Sequence, residues 1–300
     1  TYGGNPLLYE NLFWLFARSA VYVMILPAIG IVSEIIAAFT KKPLFGYKGI
    51  VYSIIAFATL MLLSWGSNIF PSYQSTFVTL LFSFLSFLMI APLAVILLSW
   101  AASFKNSQTT WSAPLLFAIV VIIFMLRKLI SDLVFSSPVT GSYLSGTTYE
   151  SSSFHFLMVG VVTTAFLSAM HFWWPKITGR IYSNSWAKIA ALAVLVGVFM
   201  AFAPGCLLGL AGMRSRINAY PEGFMFLNQV AMLGSLTLGL GFTLPLLYFI
   251  GSLIKGKAAG PNPWDAAGLE WQTESPPPER NFTGKSITVE QAYTYSSSSS

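Results

Sequence analysis

Few residues in this chain are equipped for chemistry, and most of those lie inside apolar runs. Arg127, Lys128 and Asp132 interrupt one such run. The chain holds two histidines, His155 and His171, and a single cysteine, Cys206. Charge inside an apolar segment is costly and normally turns toward the protein interior or water. Lys128 and Asp132 are four residues apart, share one helix face and are expected to pair. Two histidines cannot furnish three imidazoles to one metal, and no spacing resembles a zinc, calcium or phosphate motif. A Ser-His-Asp arrangement would need a buried acid beside a histidine, and acids within the apolar runs are few. Hydrolase chemistry is therefore set aside. Cys206 lies in an apolar stretch, has no internal disulfide partner and says nothing about redox compartment.

The elements that must position these groups are membrane helices. Of 300 residues, 55% are hydrophobic and only 9% are charged. A soluble domain carries roughly 25% charged residues, and a chain of ordinary length cannot hide that deficit in a core. Seven segments have the roughly 20 apolar residues that span a bilayer. They are approximately 12–38, 49–68, 76–103, 113–135, 154–174, 187–210 and 224–254. Each is too long for a typical strand, so the fold class is all-α, a seven-span bundle over 1–255. Pro27, Pro92, Pro204 and Pro245 interrupt spans, which membrane helices tolerate. No tandem repeat is evident.

The net charge of +6 sits mostly in loops, with no basic face of the kind that binds nucleic acid. Lys41, Lys42, Lys48, Lys105, Lys176, Arg180 and Lys188 follow the first, third and fifth spans, and Lys255 and Lys257 follow the seventh. The opposite loops offer Arg214 and Arg216. The positive-inside rule then places the N-terminus outside and the C-terminus in the cytoplasm, in a membrane of bacterial inner type. Trp111, Trp173, Trp174 and Trp186 suit interfacial anchoring or ordinary packing, and His171 reads as an interfacial histidine. Glu10 and Glu34 flank the first span and are expected to face polar surroundings. Residues 256–300 are rich in Gly, Pro and Ser and read as an extended cytoplasmic tail. The chain begins at Thr1 rather than Met and shows no cleavable signal pattern, so processing or truncation is expected.

Several strings add a resemblance. They are Pro6-Leu7-Leu8-Tyr9-Glu10-Asn11-Leu12-Phe13-Trp14, Pro43-Leu44-Phe45-Gly46-Tyr47-Lys48-Gly49, Trp186-Ala187-Lys188-Ile189 and Leu208-Gly209-Leu210-Ala211-Gly212-Met213. Asn262-Pro263-Trp264, Leu269-Glu270-Trp271 and Ser275-Pro276-Pro277-Pro278 follow in the tail. In order and spacing the chain resembles the C-terminal half of haem–copper oxidase subunit I, the catalytic subunit of cytochrome c oxidase. The resemblance implies helices six to twelve of that fold.

It also implies that most metal ligands are gone. The family reduces oxygen between a haem iron and a copper held by three imidazoles. Where its sixth helix reads Gly-His-Pro-Glu-Val-Tyr, this chain reads Ala17-Arg18-Ser19-Ala20-Val21-Tyr22. Arg18 takes the copper-ligand place, and a guanidinium that stays protonated cannot ligate a metal. Ala20 replaces the proton-relaying glutamate, and Tyr22 keeps the tyrosine. Ser67 and Asn68 stand where the family has its His-His pair. Its Pro-Thr-Gly-Val-Lys proton conduit becomes Pro92-Leu93-Ala94-Val95-Ile96. Its tenth-helix His-Phe-His becomes Ser153-Phe154-His155, so Ser153 replaces the reactive-haem ligand and His155 keeps the low-spin haem place. A magnesium-binding His-Asp becomes Ser145-Gly146, and of two propionate-binding arginines Arg216 remains, beside Ser215.

Two readings of the charged triad stand open. Arg18, Arg127 and Lys128 fill the vacated haem–copper space, or Arg127 and Lys128 line a polar bundle surface or partner interface. His155 is either an axial ligand to one low-spin haem or a relic histidine in a helix interface. The cofactor expectation is accordingly none, or that one haem with Arg216 at a propionate, and no other metal. The leading expectation is a non-catalytic accessory subunit of a respiratory electron-transport complex, partnered by other subunits and lipid. The alternatives are a haem-binding half of a split oxidase, joined to a separate N-terminal half, and an ion or proton transporter subunit.

Overall fold

The computed structural model describes residues 3–4, 6–64, 76–279 and 281–282. Among them the chain is helical almost throughout. Helix α1 runs Pro6–Thr40, α2 Tyr47–Leu63, α3 Thr76–Leu88, α4 Ile90–Ser103 and α5 Ala113–Ser136. A short α6, Pro138–Leu144, leads into α7, Thr148–His155. A π-helical stretch, Phe156–Thr163, joins α7 to α8, Thr164–Thr178. The two-residue strand β1, Arg180–Ile181, precedes α9, Asn184–Leu210, and α10, Met225–Lys255. Strand β2, Lys257–Ala258, returns antiparallel to β1.

Among the described residues six helical segments are long and apolar enough to cross a bilayer. The first, fourth and fifth of these are Leu15–Thr40, Thr148–Thr178 and Asn184–Leu210, and α3 with α4 forms one continuous span. Helix α2, on the second expected span, is shorter at 17 residues. The expected span at 154–174 begins six residues earlier, at Thr148. Its first turns carry Glu150, Ser151 and Ser152, whose polarity masks the helix from a hydropathy reading. The turn is capped locally: the Thr147 side chain accepts from the Tyr149 amide, and Glu150 accepts from the Gly146 amide at 2.8 Å. Pro114 and Pro138 open their helices at a position where the missing amide hydrogen costs nothing.

Without a hydrophobic drive between helices in lipid, close backbone approach holds the bundle. A Cβ added at Gly234 in α10 would strike the backbone of Met200 and Ala201 in α9. A Cβ at Gly209 would strike the backbone of Tyr149, so the same requirement seats α7 on α9. The core gathers Ile29, Ile36, Phe117, Phe124, Val161 and Val198 from α1, α5, the π segment and α9.

The connections sort to two ends of the bundle. At one end Lys42 bonds the Asn106 carbonyl, Thr110 bonds Phe39, and Arg180 bonds Gly256. At the other, Thr147 bridges Arg214, and the Ser215 amide bonds Gly146. The described part of the tail, 256–279, lies against the first end of the bundle. Ala266 and Trp271 are buried there.

Candidate functional site

Arg127 lies nine residues before the end of α5 and reaches across to two other helices. Its Nη2 donates to Ser153 Oγ in α7 at 3.0 Å and to Cys206 Sγ in α9 at 2.9 Å. Ser131, one turn along α5, donates to the same Ser153 Oγ at 3.3 Å. The guanidinium carbon lies 4.2 Å from the centroid of Phe156 and 6.0 Å from that of Tyr149. Such cation–π contacts contribute about 0.5–2 kcal/mol, more when desolvated. Phe156 is held in turn by Phe124 and Phe199, at 5.8 Å each.

Lys128 points elsewhere. Its Nζ grips both carboxylate oxygens of Asp132, at 2.7 and 2.8 Å. The two side chains are 15% and 26% exposed. That i, i+4 pair is internally neutral, so Arg127 is left bonded to neutral acceptors. Among the described residues Arg127 makes no ion pair. The π-helical stretch follows this cluster directly. It brings Gly160 against the Phe124 ring, where a Cβ would fall 2.9 Å from ring carbons. π-Helical turns are frequent at functional positions because they re-aim side chains by one residue.

The sequence-predicted residues are placed as follows. Ser153 sits in the arginine cluster. His155, two residues on, faces outward and is exposed. Its Nδ1 bonds the Ser151 carbonyl at 2.7 Å, and its ring stacks on Phe202 at 5.3 Å. A carbonyl only accepts, so Nδ1 carries a hydrogen in this bond and Nε2 is the ring nitrogen left over. Arg216 is exposed in the α9–α10 connection, with φ 59°. Its neighbour Ser215 bonds the Thr147 carbonyl at 2.7 Å and Ser151 Oγ at 3.2 Å. Arg216 therefore stands beside the turn that precedes His155. Arg18 lies in α1, and its side chain is outside the described set. Ser67 and Asn68 also lie outside the described residues.

His171 departs from the interfacial expectation. It is fully buried. Its Nδ1 bonds the Leu167 carbonyl at 2.6 Å, and Tyr248 donates its hydroxyl to Nε2. Phe117 stacks on the ring at 4.5 Å, Phe249 lies tilted against it at 4.8 Å, and Tyr182 donates to the His171 carbonyl at 2.9 Å. Burial pushes the Tyr182 hydroxyl well above its ordinary pKa. Two neighbouring tryptophans suggested an interface; rotation of α8 instead turns His171 toward α5 and α10. Two further residues were not foreseen. Cys206 read as an isolated apolar cysteine, yet it receives Arg127. Lys176 read as a loop charge, yet it is buried in the last turn of α8.

The described groups do not fit the copper and oxygen-reactive haem that the resemblance implies. Three imidazoles are needed, and the chain has two histidines. One of them, His171, has both ring nitrogens engaged within the core. Ser153, at the implied iron-ligand place, is taken by Arg127 and Ser131. No group of three His, Cys, Asp or Glu converges among the described residues. For a low-spin haem the chain offers one nitrogen, His155 Nε2.

Comparison with known proteins bears on this arrangement. Residues 1–237 match the family described as cytochrome c and quinol oxidase polypeptide I. Cytochrome c oxidase subunit 1 of Synechocystis is 34% identical over 282 residues, covering 93% of this chain and 51% of that protein. The haem–copper oxidase subunit I+III of Aeropyrum pernix is 31% identical over 283 residues, covering 94% of this chain and 34% of that protein. The structure of a haem–copper terminal oxidase dimer superposes with a TM-score of 0.76 at 19% identity, over 85% of this chain and 50% of that one, which speaks for the fold. The chain thus spans about half the length, or less, of the relatives it matches. An apolar helical bundle of this topology, matched over most of its length, makes the chain an integral membrane protein that belongs to the haem–copper oxidase subunit I family.

Proposed function

We propose that this chain is a non-catalytic, structural subunit of a respiratory membrane complex, derived from the oxygen-reducing core and no longer reducing oxygen. The observation that carries the reading is the Arg127 guanidinium, bonded to Ser153 Oγ and Cys206 Sγ where the resemblance puts a haem-iron ligand. A fixed cation with its acceptors already satisfied competes for the space a metal centre would use. Helices that kept the family's packing surfaces would let the chain dock other subunits. The basic end of the bundle, with Lys42, Lys105, Arg180 and Lys255, is assigned to the cytoplasmic side by the positive-inside rule. Metal analysis and carbon-monoxide difference spectra of the purified complex test the reading, once other haem–copper subunits have been separated. We expect no copper and no carbon-monoxide-reactive haem on this chain. Stoichiometric copper with a carbon-monoxide-shifted haem band would overturn it.

A second reading rests on His155. With Nδ1 tied to the Ser151 carbonyl and the residue exposed, Nε2 is the ring nitrogen that could make one axial bond to a low-spin haem. The second ligand would come from another polypeptide, since His171 is enclosed. In that case His155→Ala abolishes a haem absorption band of the assembled complex. An unchanged spectrum leaves His155 as a packed surface histidine.

A further inference from the structure

Past α10 the chain crosses the end of the bundle, and two buried or half-buried lysines hold it there. Lys176, in the last turn of α8, is 4% exposed. Its Nζ donates to the carbonyl oxygens of Pro261 at 2.9 Å, Thr273 at 2.8 Å and Glu274 at 3.3 Å. The same ammonium lies 5.3 Å from the centroid of the Trp271 ring. Three hydrogens meet three carbonyls, and the π face covers the remaining side. Lys41, just after α1, donates to the carbonyls of Trp264 and Asp265 and lies 3.6 Å from the Asp265 carboxylate.

Weaker ties complete the attachment. The Trp264 indole donates to the Phe172 carbonyl at 2.8 Å, and the Ala259 amide to Gly179 at 2.8 Å. Trp271, 1% exposed, packs edge-on against Phe172 at 5.0 Å. Its indole nitrogen is buried with no hydrogen-bond partner among the described residues. An orphaned donor of this kind weakens the attachment rather than strengthening it. The segment itself has little regular structure, since Asn262 caps Ala266 through its side chain and a single 3-10 turn covers Leu269–Gln272. Beyond the two-residue β1–β2 ladder, its side-chain hold on the bundle concentrates at the two lysines, and chiefly at Lys176.

We infer that residues 257–276 form a strap across one end of the bundle, closed by the Lys176 ammonium. The strap ties the end of α8 to the end of α1. A lysine suits the position because a compact ammonium with three rotatable donors can satisfy three converging carbonyls; the planar fork of arginine cannot. Opening the strap uncovers the apolar seat formed by Phe39 and Phe172, and exposes Trp271 itself.

Hydrogen exchange on the full chain in lipid nanodiscs tests this. Lys176→Met keeps most of the apolar stem and removes the charge. Peptides covering 257–276 should exchange roughly ten- to a hundredfold faster, as expected for losing charge-assisted hydrogen bonds, while α9 peptides stay protected. Lys176→Arg should behave like Lys176→Met rather than like the parent. A second variant leaves Lys176 in place: Trp271→Ala should raise the rate at which an amine-acylating reagent modifies Lys176. The inference is overturned if exchange in 257–276 stays within about twofold of the parent in Lys176→Met. It is equally overturned if that variant loses protection in every helix and Trp271→Ala leaves Lys176 acylation unchanged.

Discussion

Arg127 and Lys128 are neighbours in sequence, yet removing their charges should have unequal consequences. Lys128→Met leaves Asp132 half-buried without its partner. Breaking a buried pair costs about 3–5 kcal/mol and an exposed pair about 0–1 kcal/mol. With side chains 15% and 26% exposed, the expected loss is about 2–3 kcal/mol, between those limits. Arg127→Met breaks no ion pair among the described residues. It forfeits two charge-assisted hydrogen bonds, about 1.5–3 kcal/mol each, and the contact with Phe156. Against this it removes the cost of keeping a guanidinium out of water, which is several kcal/mol. Ser153 keeps Ser131 as a partner and Cys206 keeps Ser153, so neither acceptor of Arg127 is orphaned. The net change for Arg127→Met should fall within about 1 kcal/mol of zero, on either side. Reversible unfolding in mixed micelles, followed by tryptophan fluorescence, measures both. Lys128→Met with Asp132→Leu should recover most of the loss, and the double-mutant cycle isolates the pair. The reasoning fails if Lys128→Met is as mild as Arg127→Met, or if the double variant is no better than the single.

Gly234→Leu should destabilise the protein by about 1–3 kcal/mol or more in the same assay, because its side chain must displace the backbone of α9. Gly239→Leu, where a Cβ meets nothing within 4 Å, should be neutral. Tyr248→Phe strands the buried His171 Nε2 without a donor and should cost about 1–3 kcal/mol in that assay. Lys41 contributes a pH dependence to the strap. Burial lowers its pKa, with Asp265 offsetting part of the shift. Between the lowered value and the ordinary value of 10.5 the detached state binds more protons. Closure should therefore tighten as pH rises through that window, seen as slower exchange in 257–276 after correction for intrinsic rates. Lys176 is a second buried ammonium under the strap, so Lys41→Met should weaken that trend without removing it.

Much of this molecule is legible along the chain because its physics is local. A deficit of charge and runs of apolar residues suffice to demand membrane helices, since every backbone polar group must be satisfied within the helix. The Lys128–Asp132 contact was readable for the same reason: four residues make one turn of the helix. Where polar first turns preceded an apolar run, as at Glu150-Ser151-Ser152, the beginning of the helix was hidden. Motif strings carried the family.

What the chain could not specify by itself is which face of each helix meets which neighbour. The alternatives for Arg127 diverged on that point, and its acceptors, Ser153 and Cys206, are 26 and 79 residues away. His171 looked interfacial by its neighbours in sequence, and Lys176 looked like a loop charge. The rotation of α8 encloses the first among aromatic rings, and the returning chain buries the second under three carbonyls. Hydropathy averages over a helix and is blind to that rotation. It is likewise blind to a Gly- and Pro-rich segment positioned by a few isolated groups, Lys41, Lys176, Trp264 and Trp271, rather than by an apolar run. Burial of a single side chain depends on helix tilt and register set by contacts such as Gly234 on Met200, and those exist only once the helices are packed.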